Sequence, residues 1–309
     1  MGYPTSGVNY SNTGANNTSK FIPEIWSGKL VEKFYDATVF SEIANTDYEG
    51  EIKSHGDKVL IRTVPSLVIN DYTKGQSLSY QAPESPNVEL AIDKGKYFAF
   101  EVKSVDKYQS DLNLMNTFAD DGSEQMQIAI DTDVLSNVFG DADAANAGAE
   151  AGRKSGNINL GVGGAPLVLT KDNVLDTLVD YATVLDEQNI PSTNRWVVLP
   201  PTICGLIKKS ELKDASLAGD NESIMRNGRL GMIDRFTIYS SNNLNVDSGN
   251  TDVMFGHKAA ITFASQITEM ETIPNQNDFG ELVRSLQVYG YEVIKGDALG
   301  HSVVTTTVT

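Results

Sequence analysis

The spacing of apolar residues changes several times along the chain, and each change marks an expected element. Residues 1–20, MGYPTSGVNYSNTGANNTSK, carry almost no apolar anchors among Gly, Ser, Asn and Thr, which predicts a flexible arm. From Phe21, the residues Ile25, Leu30, Val31, Phe34 and Tyr35 recur at helical spacings, with Pro23 tolerated near the start, and predict a short amphipathic helix. A period of two follows. Val59, Ile61 and Thr63 share one face after the glycine-centred turn His55-Gly56-Asp57, so 48–63 reads as a hairpin-like β element. Pro65 to Lys96 then holds three prolines, two glycines and only short β-prone pieces, LVIN and SLSYQ, and reads as a long extended β-loop. A loop so long and so poor in core residues is expected to be mobile or held from outside the subunit. Phe98, Phe100 and Val102 restore strict alternation.

The longest helical stripe runs from Ser110, its expected cap, to Phe139 through Leu112, Met115, Phe118, Ala119, Met126, Ala129, Ile130, Val134 and Val138, with Gly140 as its stop. At about 1.5 Å per residue it predicts a rod near 45 Å long. The glycine-rich stretch 141–166 is expected to be a loop and the main domain boundary. A second helix is predicted over 171–188, capped by Thr170, with Val174, Leu175, Leu178, Val179, Ala182 and Leu185 facing inward. RWVVL at 195–199 reads as a buried strand, and Pro200-Pro201 opens a third helix that ends in lysines. Further β candidates are 236–240, 253–263, 267–273 and 282–294. Helices and strands without regular βαβ alternation make the fold class α+β.

Composition narrows the function classes. The 309 residues are 40% hydrophobic and 21% charged, with a formal charge of −17. No apolar run approaches the roughly 20 residues that span a bilayer, and the polar start is unlike a signal peptide, so no membrane partner is expected. The negative charge opposes binding to phosphate backbones. The single cysteine, Cys204, reads as a buried small hydrophobe. The three histidines, His55, His257 and His301, lack metal-ligand spacing, and adjacent His257 and Lys258 would point to opposite faces of a strand. GVGGAP fails as a phosphate cradle because Pro166 stands where glycine is needed. DADAAN fails as a calcium loop at Ala145, Asn146 and Gly152. No catalytic residue, metal or cofactor is implied.

The order of arm, amphipathic helix, long loop, rod helix, glycine-rich bridge and mixed domain resembles the major capsid protein of tailed bacteriophages, the Hong Kong 97-type capsid fold. The phrases carrying the resemblance are FIPEIWSGKLVEKF at 21–34, VPSLVINDYTKGQSLSYQ at 64–81, SDLNLMNTFADDGSEQMQIAIDTDVL at 110–135, FGHKAAITFASQITEME at 255–271 and FGELVRSLQVYGYEVI at 279–294. The resemblance implies an N-terminal arm over 1–45 and an extended β-loop with flanking strands over 46–103. It further implies a spine helix and peripheral domain over 104–159, an axial domain over 160–255, and strands over 256–309 that return to the peripheral domain.

The implied function is structural: self-assembly as hexamers and pentamers into an icosahedral head that encloses the genome without tight specific DNA binding. Implied inter-subunit contacts are Phe21, Ile22, Trp26, Ile69, Asp71, Tyr72, Lys74 and Tyr80. Portal and decoration proteins are further implied partners, with assembly in the host cytoplasm and residence in the virion. Two features depart from some members. After Asp278 the chain has no asparagine to crosslink with a loop lysine such as Lys74, so no covalent crosslink of that kind is expected. The twenty polar residues before Phe21 are too few for a helical scaffold leader, so a separate scaffolding protein, or none, is implied. The alternatives are an encapsulin-like compartment shell and, from the enzyme class, a cytoplasmic hydrolase using His257.

Overall fold

The computed structural model describes residues 38–47, 58–63, 65, 67–82, 87–103, 114–210, 231–276 and 278–306. Residues 1–37 of the expected arm, with the helix over 21–35 and Phe21, Ile22 and Trp26, the turn at 55–57, the cap Ser110 and the stripe residue Leu112 lie outside these residues.

A single helical turn, α1 (Phe40–Ile43), buries Ile43. Strands β1 (Lys58–Arg62) and β2 (Asn87–Ala91) pair antiparallel, with Lys58 opposite Ala91 and Arg62 opposite Asn87. The loop expected to extend to Lys96 therefore stops earlier: β2 lies inside it, because Val88 and Leu90 alternate and Leu90 is fully buried. Strand β3 (Lys94–Lys103) buries Val102 and half-buries Phe98 and Phe100 on the expected face.

The rod is α2 (Leu114–Asn137), followed by a 3-10 turn over Val138–Asp141. Its regular part spans about 36 Å at 1.5 Å per residue. Met126, Ile130, Val134 and Val138 form the buried stripe, whereas Ala129 and Phe118 are exposed. Gly140 does not end the helix; it sits within the 3-10 turn. After the loop come β4 (Leu167–Leu169), α3 (Val174–Glu187), β5 (Arg195–Leu199) and α4 (Pro201–Lys209). Asn173, not Thr170, is the cap position of α3; its side chain accepts a hydrogen bond from the Thr170 backbone N–H at 2.7 Å. Val179 faces outward, and Tyr181 and Val184 take inward places beside Leu178 and Leu185.

Strands β6 (Met232–Ile233), β7 (Phe236–Ser240), β8 (Val246–Asp247), β9 (Asn250–His257), β10 (Ile261–Pro274), β11 (Gly280–Val293) and β12 (Leu299–Thr306) complete the described chain. The expected single strand 253–263 is broken by a turn at Lys258–Ala260. Its second half continues through 267–273 as one strand with a bulge between Ser265 and Ile267.

Among the described residues these strands make two main sheets. One has the order β10-β11-β3, all antiparallel. The other has the order β4-β12-β9-β5-β7-β6, with β8 paired to β9, and is mixed. The strands after residue 255, expected mostly to return to the peripheral domain, divide between the two sheets. Strands β10 and β11 do join β3, but β12 inserts between β4 and β9 in the larger sheet.

The larger sheet is covered on both faces, which is why RWVVL has no polar alternation. Val197 and Leu199 point to α3 and α4, packing with Leu178, Tyr181, Ile203 and Phe255. Trp196 and Val198 point to the other side, where Ile130, Val134, Met254, Phe263 and Tyr289 form a core shared with α1, α2 and the smaller sheet.

Glycine decides one close approach. A Cβ on Gly290 would overlap the Ala91 carbonyl oxygen and stand 3.0 Å from the Ile92 Cα, so only glycine lets β2 lie across β11. Gly290→Val is expected to push β2 off β11 and cost about 1–3 kcal/mol, read as a lowered urea midpoint. An unchanged midpoint would mean that β2 does not pack there.

Candidate assembly surfaces

Between β1 and β2 the chain runs out as an extended loop whose arms, 67–72 and 77–82, contain no strand. At its tip Thr73-Lys74-Gly75-Gln76 closes a turn, the Gln76 N–H donating to the Thr73 carbonyl at 3.0 Å. Gly75 adopts φ +93°, the left-handed value that a type II turn demands at its third position. At the base Gln81 clamps the arms together: its Oε1 accepts from the Val68 N–H at 3.1 Å and its Nε2 donates to the Val68 carbonyl at 2.8 Å.

The side chains of this loop point into solvent. Leu67, Val68, Ile69, Tyr72, Leu78 and Tyr80 are each more than 60% exposed, Ile69 and Tyr80 about 90%. Ile69, Asp71, Tyr72, Lys74 and Tyr80, all expected contact residues, are therefore brought together on one projection. The other three expected contacts lie outside the described residues.

A second surface is the face of the smaller sheet turned away from α2. Tyr97 and Leu286 face each other across β3 and β11 and are exposed there beside the Arg284–Glu271 ion pair, around a shallow groove of about 410 Å³. At the end of this sheet Asn275 donates to Glu101 at 2.7 Å and Lys103 pairs with Asp278 at 3.4 Å, displaying Phe279 at the hairpin tip with 85% exposure.

Polar groups that sequence reasoning missed hold the two sheets in place. Arg195 is fully buried in β5. Its Nε donates to the Pro191 carbonyl at 2.9 Å and its Nη2 to the Ile190 carbonyl and to Asp186 Oδ1, the latter at 2.6 Å. Burial acts to raise the Asp186 carboxyl, but hydrogen bonds from Arg235 and Arg195 outweigh it and hold the group below the usual carboxylate range. Asp131, fully buried on α2, accepts from the backbone N–H groups of Val39 and Phe40 and from Asn243. His301 Nε2 lies 2.8 Å from Asp252, and its ring packs on Phe139. A charged residue inside the apolar phrase RWVVL was a readable signal for Arg195. Asp131 is one of 41 acids and carried none.

The residues weighed for chemistry have structural positions. His257 ends β9, and its Nδ1 accepts from the Ala259 N–H at 3.1 Å, closing the turn that Lys258 begins. Burial lowers its pKa, with the charges of Lys295 and Arg195 adding to the effect. A His kept neutral by the fold makes stability fall as pH drops below its unfolded pKa of about 6.5. His257→Ala is expected to shift stability by less than about 1 kcal/mol at pH 8 and to reduce its loss between pH 7 and 5, read by urea titration at each pH. A change above that size at pH 8 would assign His257 a larger role. Cys204 is buried in α4, and burial raises its thiol pKa. In the DADAAN stretch Asp143 caps the 3-10 turn at Ala145, and Asn146 is buried, donating to the Asp297 and Leu299 carbonyls.

A covered two-sheet body with an apolar projection suits lateral association, and comparison with known proteins decides the family. The family model described as phage capsid protein matches residues 87–300. The chain belongs to the phage capsid protein family. A solved structure from Mycobacterium phage Che8 is 27% identical, with 91% of this chain and 97% of that chain covered and a TM-score of 0.75. The capsid of cyanophage P-SCSP1u is 15% identical over 99% of this chain and 100% of that chain, with a TM-score of 0.69. The mature capsid of bacteriophage PhiM1 is 15% identical over 93% and 92%, with a TM-score of 0.65. At 15% identity the latter two show the shared mixed helix and sheet fold. No curated protein sequence is a significant match. The phage capsid protein is a structural subunit of a head shell.

Proposed function

We propose that this capsid protein assembles, as hexamers and pentamers, into an icosahedral Hong Kong 97-type head around the phage genome, and that it performs no catalysis. In this reading the larger sheet with α3 and α4 is the axial domain, while α2 with the smaller sheet is the peripheral domain. The loop 67–82 reaches over a neighbouring subunit. One observation carries the reading: six large apolar side chains stand exposed on a loop that has no core of its own. Full burial of each contributes about 1.5–3 kcal/mol of gross driving force. Ordering and association costs offset part of this. With many weak contacts per subunit, closure of a symmetric shell sums them.

The net charge of −17 favours a shell that holds packed DNA without gripping it. Assembly in the host cytoplasm, a portal, decoration proteins and a separate scaffolding protein belong to the same proposal. The reading is tested by assembling a mixture of ¹⁴N- and ¹⁵N-labelled protein, treating it with an amine-reactive crosslinker and analysing peptides that contain Lys74. Mixed-isotope pairs are expected. Lys74 peptides joined only within one isotope would place the loop on its own subunit and defeat the proposal.

A further inference from the structure

We propose that residues 38–45 are a releasable strap, latched by Asp131, which fixes the angle between the two sheets of the subunit and opens while both sheets stay folded. The strap is too short to hold itself: α1 is one turn, and an isolated turn does not repay its nucleation cost. Its leading N–H groups depend on a residue 91 and 92 positions away. Asp131 Oδ1 accepts from Val39 N–H at 2.9 Å and Phe40 N–H at 2.8 Å, while Oδ2 accepts from Asn243 Nδ2 at 2.8 Å.

The far end is sewn to the start of β10. Asn45 N–H donates to the Ile261 carbonyl at 2.9 Å, Phe263 N–H donates to the Asn45 carbonyl at 2.9 Å, and Thr262 Oγ1 donates to Asn45 Oδ1 at 2.8 Å. Between the ends Val39, Ile43 and Ala44 are buried, and Phe40 packs on Phe263 with ring centroids 4.9 Å apart. The strap thus touches α2 and β10 of the smaller sheet, and Asp131 links it to Asn243 in the loop that follows β7 of the larger one.

Among the described residues no cation pairs with Asp131, so three dipolar donors alone hold this fully buried carboxylate. Removing one leaves a buried group underpaired, which favours either the complete set of bonds or an undocked strap with a hydrated carboxylate. Neither sheet loses a ladder bond in the second state, because the strap belongs to neither ladder except through Asn45. Docking therefore works as a two-position lock on the joint between the sheets.

The test is hydrogen exchange on the full-length soluble subunit. Asp131→Asn keeps the shape but offers one acceptor oxygen where two served three donors. Amides of Phe40–Asn45 are expected to exchange at least about tenfold faster, with β5, β9 and β12 unchanged. Asn45→Ala, which keeps Asp131 and loosens the opposite end, is expected to give the same local pattern, so a folding failure of the first variant does not end the test. Unchanged rates over 40–45, or equal acceleration of the strap and both sheets, would overturn the proposal. Spin labels at the exposed positions Val246 and Met270 read the angle. Their distance distribution is expected to broaden in Asp131→Asn, and an unchanged width would refute the lock.

Discussion

Replacing residues 69–80 with Gly-Ser-Gly is expected to leave a folded subunit that no longer closes into shells. The short linker fits because Gln81 holds the two arms together at Val68, so the ends to be joined are already adjacent. The deleted residues from 71 onward are all exposed, and Ile69 is 90% exposed, so the subunit loses almost no buried apolar area. Shortening a flexible loop changes closure entropy only slightly, since each doubling of length costs about 0.6 kcal/mol. The subunit's urea midpoint should stay within error of wild type. The concentration required for assembly should rise by at least about a hundredfold if the removed side chains are, as proposed, anchors of lateral contact, since anchors carry most of the binding energy. The check is paired: chemical denaturation for the subunit and sedimentation velocity for particles. A variant that still sediments as shells at the wild-type concentration would remove the loop from the account.

Arg195→Met is expected to have the largest effect on the subunit itself, about 2–3 kcal/mol of lost stability, because Asp186 is itself 44% exposed and keeps access to water. The methionine fills much of the volume but offers no donor to the Pro191 and Ile190 carbonyls, which close the turn after α3. These acceptors are part-buried, and each left without its donor costs about 1 kcal/mol. Asp186 keeps only Arg235, which is exposed and screened by solvent.

The pH dependence follows from the same pair. With its folded pKa held below the unfolded one, Asp186 contributes stability that is present above about pH 4 and lost as pH falls through the depressed folded value. Arg195→Met should therefore show a smaller loss between pH 4.5 and 2.5 than wild type, alongside its lower stability at pH 7. Equal midpoints for both proteins at pH 7 would show that Arg195 holds nothing in place.

Much of this architecture was legible in the chain because its elements obey simple periods. Val59 and Ile61, Phe98 to Val102, and Met126 to Val138 bury the faces their spacing predicts. The exposed loop was legible for the opposite reason: Leu67, Ile69, Leu78 and Tyr80 sit among polar and turn residues with nothing local to pack on.

What failed were features set by distant partners. The β2 strand was read as loop because its fit depends on Gly290, about 200 residues later, and a glycine in a strand marks close approach without saying to what. The destination of β12 followed from pairing with β4 and β9, which no local pattern encodes. The break at Lys258–Ala260 was hidden because VMFGHKAAITF is apolar on both sides of a turn whose only polar signal is His257-Lys258. Asp131 was invisible for the same reason, since its donors are backbone groups of another segment.

The central claim is that this chain is a shell-forming structural subunit. It is tested most directly by negative-stain electron microscopy of the purified full-length protein over a range of concentrations and salt, alone and with phage lysate. Closed particles of uniform diameter are predicted, appearing above a threshold concentration. A protein that stays a compact monomer under every one of these conditions would contradict the account.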